Sequence, residues 1–197
     1  MALLVAASCG PSADRSGGVQ ATPVYDPHTG RLEQLAADRS GRGRIDTRAY
    51  MDGVRFKYIE IDRKGTGRPD RWEYYQPATS PADVRSGAGG QSMLVRAEEA
   101  NGSDGTITRW EYYEHGVIAR VEEDTDGDGR VDKWEQYAGG ALVRMDLDLS
   151  GRGYPDRRLV YRGDGTLDHM EIDANGDGRF KSPAGTPGQR GGGRGGR

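Results

Sequence analysis

The strongest constraint on this chain is a repeated segment that starts at an acidic residue and continues with closely spaced glycines. Copies start at positions 38, 62, 100, 124, 148 and 173, so the steps are 24, 38, 24, 24 and 25 residues. The third copy is degenerate, and the long step contains an insertion at 77–91 that is rich in Pro, Ser, Gly and Ala. A period in the twenties is typical of modular arrays whose units pack on their neighbours.

The second half of each unit has the pattern of a β-hairpin. A run such as Trp-Glu-Tyr-Tyr at 110–113 is followed by a glycine turn and then by Val and Ile at 117–118. Trp110 and Tyr112 would share one face of a strand. Two strands and two connections fit within 24 residues. The sequence therefore predicts an all-β fold in which tandem antiparallel hairpins form an elongated, twisted meander sheet.

Composition limits what such a sheet can use as a core. Leu, Ile, Val and Phe together supply 29 of 197 residues, while Gly and Pro supply 41. This content excludes a large aliphatic core, and we expect Trp and Tyr to provide much of the buried area. The net charge of −3 gives no overall field that would attract nucleic acid, so a nucleic-acid partner is not expected.

The first ten residues resemble the end of a bacterial lipoprotein signal peptide, in which an apolar run leads to small residues and a lipidated Cys. Cys9 is the corresponding residue and the only cysteine of the chain. The resemblance implies a lipid anchor at Cys9 and a location in the bacterial cell envelope, on the periplasmic or surface side of the outer membrane. The alternative is an ordinary N-terminus with a free thiol. We expect a truncated signal and tether at 1–22, a repeat domain at 23–181 and a disordered Gly/Arg tail at 182–197.

The copy that starts at Asp124 carries the most informative chemistry. Loop positions 1, 3 and 5 are Asp, position 6 is Gly, position 9 is Asp and position 12 is Glu. Ca²⁺ prefers about six to eight oxygen ligands, and a curled loop directs alternate carboxylates inward. The candidate ligands are the side chains of Asp124, Asp126, Asp128, Asp132 and Glu135, together with the carbonyl of Arg130.

This loop resembles the EF-hand calcium loop and equally the loops of integrin-type FG-GAP repeats, where the site joins β-strands. The final copy keeps Asp173, Asn175 and Asp177 at the first three ligand positions, which predicts a weaker site. Position 5 is Arg42, Thr66 or Arg152 in three other copies, so no metal is expected there. An arginine could instead bridge the remaining Asp side chains. The whole pattern also resembles that of bacterial repeat lipoproteins.

No catalytic constellation stands out, and we expect turn or surface positions for His28, His115 and His169. The sequence favours a non-enzymatic, calcium-binding, envelope-tethered repeat lipoprotein that acts as a structural or interaction module, with Ca²⁺ as its cofactor. Its partner would be an unknown protein or a glycan. The alternatives are a dockerin-like adaptor, in which the calcium loops precede helices, a glycan-binding protein that uses the Trp/Tyr face, and an RNA-binding protein that uses its tail.

Overall fold

A computed structural model describes residues 21–78 and 92–183, and in these ranges the chain forms one antiparallel sheet of twelve strands. The strands lie side by side in sequence order, so every connection is a hairpin. They are β1 Ala21–Tyr25, β2 Leu32–Ala37, β3 Thr47–Asp52, β4 Arg55–Ile61, β5 Arg71–Pro77, β6 Ser92–Glu99, β7 Arg109–Glu114, β8 Val117–Glu123, β9 Lys133–Ala138, β10 Ala141–Leu147, β11 Arg157–Tyr161 and β12 Leu167–Ile172.

This arrangement confirms the predicted all-β meander. The described residues contain no helix, so the dockerin-like alternative with helices after its loops is wrong for this part of the chain. None of the described segments is therefore a helix that could cross a membrane. β1 begins at Ala21, two residues before the predicted start of the repeat domain. Backbone proximity between strands is almost solely between immediate neighbours in the sheet.

The hairpin connections alternate between two edges of the sheet. One edge, called the loop edge, carries the repeated acidic segments: L1 at 38–46, L2 at 62–70, L3 at 100–108, L4 at 124–132, L5 at 148–156 and L6 at 173–181. The opposite edge carries mostly short turns. His115 and Gly116 form one of them, with φ values of 50° and 75°. Two successive positive φ values are typical of a type I′ turn, which confirms the turn expected for His115.

A register shift of the kind made by a β-bulge occurs near the turn in most of these hairpins. Examples lie between Tyr74 and Tyr75 and between Tyr112 and Tyr113. A bulge bends its strand and increases the local right-handed twist. A shift that recurs from hairpin to hairpin would add repeatedly to the twist that the sequence predicts.

One face of the sheet, called the Glu face, is crossed by a row of buried ion pairs. The row contains Glu73, Ala97, Glu111, Val121 and Glu135 in register on β5 to β9. In β5, β7 and β9 the Glu carboxylate has two partners from its own strand. One is a cation two residues before the Glu, and the other is a Tyr two residues after it. The contacts are Arg71 Nε to Glu73 at 2.8 Å, Arg109 Nε to Glu111 at 3.1 Å, Lys133 Nζ to Glu135 at 2.9 Å, and the hydroxyls of Tyr75, Tyr113 and Tyr137 donating to the same carboxylates at 2.9, 2.8 and 2.7 Å.

These groups also pair across strands. Arg71 reaches Glu111 at 3.0 Å, and Arg109 reaches Glu123 at 3.0 Å. Burial favours the neutral form of Tyr113, and its hydrogen bond to the Glu111 carboxylate adds to that effect, which raises the pKa of Tyr113 to about 12. Ala97 and Val121, with no exposed surface, lie within this row, between the three Glu residues. The apolar core is therefore very small, as the composition predicted.

The opposite face, called the Trp face, carries Trp72, Trp110 and Trp134 in one row with Glu98 and Glu122 between them. Trp110 and Tyr112 share this face, as predicted. The expected aromatic ladder is continuous only at one end of the sheet, where Tyr50, Tyr58 and Tyr74 stack with ring centroids 4.6 and 5.9 Å apart. Further along the sheet, charged side chains lie between the aromatic rings. Arg120, for example, lies over the Tyr112 ring at 4.0 Å and pairs with Glu122 at 2.9 Å.

The buried ion-pair row leads to a stability prediction. Glu111→Gln leaves Arg71 and Arg109 without the carboxylate they share, and we expect it to lower the free energy of unfolding by about 2–4 kcal/mol. Urea unfolding of the full chain measures the loss. Glu114→Gln, on the exposed end of the same strand, is the matched control and should change stability by less than about 0.5 kcal/mol. Equal losses in the two variants would contradict a stabilising role for the Glu face.

Candidate metal centre on the loop edge

The six loops lie next to one another because a backbone hydrogen bond joins each loop to the following one. The N–H of the first residue of a loop donates to the carbonyl of the ninth residue of the loop before it. These bonds are 2.7 Å from Asp62 to Asp46, 2.9 Å from Ala100 to Asp70, 2.8 Å from Asp124 to Thr108, 2.8 Å from Asp148 to Asp132 and 3.1 Å from Asp173 to Asp156. The loop edge is thus a continuous row in which neighbouring loops are in direct contact.

In five of the six loops the first residue is an Asp whose carboxylate closes the loop from inside. Its Oδ2 accepts the N–H of the Gly at position 6, a contact we call the carboxylate clamp. The distances are 2.6 Å for Asp38 to Gly43, 2.6 Å for Asp62 to Gly67, 2.9 Å for Asp124 to Gly129, 2.5 Å for Asp148 to Gly153 and 2.9 Å for Asp173 to Gly178. The clamp occurs whether or not positions 3 and 5 are acidic, so it is a structural feature.

The Asp at position 9 has a similar role at the neck of the loop. The Asp46 carboxylate accepts the N–H groups of Arg39 and Ser40 at 3.0 and 2.8 Å. The Asp132 carboxylate accepts the N–H and hydroxyl of Thr125 at 3.1 and 2.9 Å. Two of the four Asp residues of L4 are therefore explained by hydrogen bonds that also occur in loops without a metal pattern.

These hydrogen bonds lower the pKa values of several clamp residues. Burial alone would raise the pKa of Asp62, but the N–H groups of Gly67 and Thr66 favour its charged form more strongly and leave the pKa lowered. Burial and backbone N–H groups act in the same opposing way on Asp148, whose pKa is also lowered. The same direction holds for Asp38, Asp46 and Asp173.

L4 brings Asp124, Asp126 and Asp128 together. One carboxylate oxygen from each lies within 4.8 Å of the others, which is a spacing that can hold a metal ion. Asp124 is buried by its clamp, whereas Asp126 and Asp128 are exposed. The Asp126 carboxylate accepts the N–H of Asp128 at 3.1 Å, and the Asp128 carboxylate accepts the N–H of Arg130 at 2.8 Å. The loop backbone thus orients both exposed carboxylates before any ion binds.

The structure does not bring all of the predicted ligands to this triad. Asp132 is engaged at the neck of the loop, and Glu135 is a buried member of the Glu face that pairs with Lys133 and Tyr137. The Arg130 carbonyl has no hydrogen-bond donor among the described residues. The role of Glu135 could have been recognised from the sequence, because Glu73 and Glu111 occupy the same position in copies that lack the acidic metal pattern.

L6 shares the local geometry of L4. In both loops the first Asp accepts the N–H of the Gly at position 4, at 2.7 Å for Gly127 and 2.8 Å for Gly176. In L1, L2 and L5 the corresponding oxygen accepts the N–H of position 5 instead. Asp177 accepts the N–H of Arg179 at 2.8 Å, as Asp128 does from Arg130. Asn175 donates to Asp177 at 3.1 Å, so the three predicted L6 residues lie together.

The arginines at position 5 act mainly on the neighbouring loop. Arg42 lies over Gly65 of L2, and Arg152 lies over Gly176 of L6. Arg152 donates to the carbonyl of Asp173 at 3.4 Å and approaches Asp156 of its own loop only at 3.9 Å. Bridging of Asp side chains within one loop, which the sequence suggested, is therefore a minor contact, and these cations connect loops.

Several sequence predictions fall elsewhere. His28 and His169 lie near carboxylates, with His169 Nδ1 at 2.8 Å from Asp168, and no nucleophile accompanies either. The predicted lipidation residue Cys9 and the tail after 183 lie outside the described residues.

Comparison with known proteins adds no family assignment. No family model matches the chain, and no curated protein matches it with significant similarity.

The lowered pKa values of the clamp residues predict acid sensitivity. A carboxylate with a lower pKa in the folded state stabilises the fold above the unfolded pKa, near 3.9, and this stabilisation is lost as the pH falls through the folded pKa. We expect the melting temperature in metal-free buffer to fall progressively below about pH 5.

The variant Asp62→Asn tests the source of this effect. It should have a lower melting temperature at pH 7 and a smaller further loss on acidification, because one clamp no longer titrates. Asp126→Asn on the same edge is the matched control and should not lower the melting temperature at pH 7, because Asp126 is not a clamp residue. Identical pH profiles for Asp62→Asn and the unmodified chain would argue against the clamp as the origin.

Proposed function

We propose that L4 binds one Ca²⁺ and that the protein is a non-enzymatic repeat module of the bacterial cell envelope. The observation that carries this proposal is the convergence of Asp124, Asp126 and Asp128 within 4.8 Å. Two of these carboxylates are exposed and already oriented by backbone N–H groups, so little ordering is required on binding. Three convergent carboxylate oxygens form a hard donor set. Such a set suits Ca²⁺ better than it suits softer metals.

An exposed loop of this kind suits modest affinity. Extracellular calcium modules bind with dissociation constants on the order of 10⁻⁴–10⁻³ M. The Arg130 carbonyl and water would complete the coordination, since Asp132 and Glu135 are engaged by other groups. L6 would hold a second, weaker site through Asp173, Asn175 and Asp177, because an amide replaces one carboxylate.

Calcium would act on this chain mainly through stability. The bound ion removes the repulsion among three carboxylates and ties positions 1, 3 and 5 of L4 together. A ligand that binds only the folded state stabilises it by about 1.4 kcal/mol at ten times its dissociation constant. That increment matters for a sheet with so small an apolar core. The partner would be a protein or a glycan, and a lipid chain at Cys9 would provide the membrane attachment.

A melt with and without calcium tests the metal proposal. We expect millimolar CaCl₂ to raise the melting temperature of the full chain by several degrees relative to metal-free buffer, with a β-type circular dichroism spectrum in both. Asp126→Ala should remove most of the calcium-dependent rise and leave only the smaller contribution of the weaker L6 site. It should not lower stability in metal-free buffer, because Asp126 is not a clamp residue. Asp104→Ala, an exposed Asp of L3, is the matched control and should retain the full response.

Two outcomes would contradict the proposal. One is a melting temperature that calcium leaves unchanged. The other is an equal calcium response in Asp126→Ala and in the unmodified chain. Glu135→Gln separates structure from ligation: it should lower stability with and without calcium by the same amount, because Glu135 belongs to the Glu face.

One observation favours glycan binding as a second candidate function. Trp72, Trp110 and Trp134 lie half-buried in one row on alternate strands, so their spacing is about 9–10 Å. A row of aromatic rings at this spacing is suited to stacking against sugar rings of an extended polysaccharide. We expect Trp110→Ala to weaken binding on a glycan array, whereas Tyr113→Phe on the Glu face should not. Absence of any bound glycan with the unmodified chain would exclude this role.

A further inference from the structure

We propose that L3 contains a binding site for small dicarboxylic acids, in which a ligand carboxylate binds the N–H that the clamp carboxylate satisfies in the other loops. L3 begins with Ala100 where the other five loops begin with Asp. In those five loops the clamp satisfies the N–H of the position-6 Gly. In L3 the corresponding N–H of Gly105 has no acceptor within residues 21–78 and 92–183.

The loop nevertheless has the backbone features that the clamp requires. Gly105 has a φ of 83°, close to the values of 78° to 90° at the equivalent glycines of the other loops. Ala100 is 1% exposed, as is Asp173 at the same position of L6. L3 therefore retains the backbone conformation that the position-6 Gly has in the clamped loops, while the chain's own carboxylate is missing. Gly105 is exposed, so a ligand can reach its N–H.

A cavity of 630 Å³ lies at this position, between L2 and L3. Ala100 and Gly105, the first and sixth residues of L3, both line it, together with Ser103. Because Ala100 is closed off and Gly105 is exposed, the cavity gives a ligand access to the donor side of the clamp, the Gly105 N–H. Its volume exceeds that of a single carboxylate, so it would accommodate a small organic molecule that carries one.

Two cations from L2 line the same cavity. Lys64 Nζ donates to the carbonyls of Ala100 and Asn101 at 2.8 and 2.7 Å, which fixes its charge beside L3 without neutralising it. The Arg68 guanidinium is exposed and has no side-chain partner among the described residues. The cavity thus has one fixed ammonium, that of Lys64, and one guanidinium that is free to adapt, that of Arg68. Two cations suit a ligand with two carboxylates.

The nearby acidic groups are already engaged. The Asp70 carboxylate accepts Arg63 Nε at 2.7 Å and the N–H of Lys64 at 2.9 Å. The Asp104 carboxylate accepts the N–H and hydroxyl of Thr106 at 3.0 and 2.8 Å. Neither carboxylate is bonded to Gly105 or Arg68, so the Gly105 N–H and the Arg68 guanidinium are left to the ligand. Lys64 contributes its charge, because its N–H groups contact the carbonyls of Ala100, Asn101 and Gly102.

Calorimetric titration of the full chain in metal-free buffer tests the site, with succinate as the dicarboxylate and acetate as the monocarboxylate. We expect one succinate per chain. Ala100→Asp supplies the missing clamp, so it should weaken succinate binding at least tenfold and raise the melting temperature. Ala174→Asp, at an exposed position of L6, adds the same charge to the same edge and should bind succinate as the unmodified chain does.

A second variant keeps the test decisive if Ala100→Asp folds poorly. Arg68→Gln, at an exposed position, should weaken succinate binding several-fold and leave acetate binding unchanged, because acetate has no second carboxylate for the guanidinium. Three results would overturn the proposal: no succinate binding to the unmodified chain, undiminished binding in a folded Ala100→Asp, or equal effects of Arg68→Gln on both acids. The metal-free conditions make the outcome independent of calcium binding at L4.

Discussion

The carboxylate clamp is the contact that closes five of the six loops of the loop edge from inside. A nine-residue loop with left-handed glycines turns backbone N–H groups toward its own interior, and a carboxylate at position 1 satisfies two or more of them at once. Asp62 and Asp148 do this in loops that lack a metal pattern, with N–H contacts of 2.6 and 2.5 Å to Gly67 and Gly153. Each of L1 to L5 offers its position-9 carbonyl to the next loop, including L3, which has no clamp, and these bonds form the row. Metal-binding side chains are additions to this frame.

The sheet itself has a polar interior. Its most buried groups include Glu111 and Glu135 beside Ala97 and Val121, and the carboxylates are compensated by Arg, Lys and Tyr from the same and neighbouring strands. Buried ion pairs contribute little net stability compared with apolar packing, but removal of one partner is costly. The network therefore favours a single pairing register between each strand and its neighbours. This explains how a chain poor in aliphatic residues can still form a defined sheet.

The sequence predicted the period, the strand pairs and the glycine turns, because these depend on residues close together in the chain. It also placed Trp110 and Tyr112 on one face. The 12-residue motif assigned Glu135 to calcium. The same Glu recurs at 73 and 111, in copies that lack the three Asp residues at loop positions 1, 3 and 5. The contact of the Arg42 side chain with Gly65 could not be predicted, because it joins two loops that are 24 residues apart in the chain. The substitution at Ala100 was visible, but its meaning required the clamp.

Backbone pairing runs only between adjacent strands, and this has a mechanical consequence. A pull applied across the strands, from β1 toward β12, would load the eleven strand junctions in series, like springs joined end to end. Extension would then be shared among all junctions, and rupture would begin at the weakest one. The cations and carbonyls that connect neighbouring loops reinforce individual junctions, so their distribution along the edge would set where such a sheet yields first.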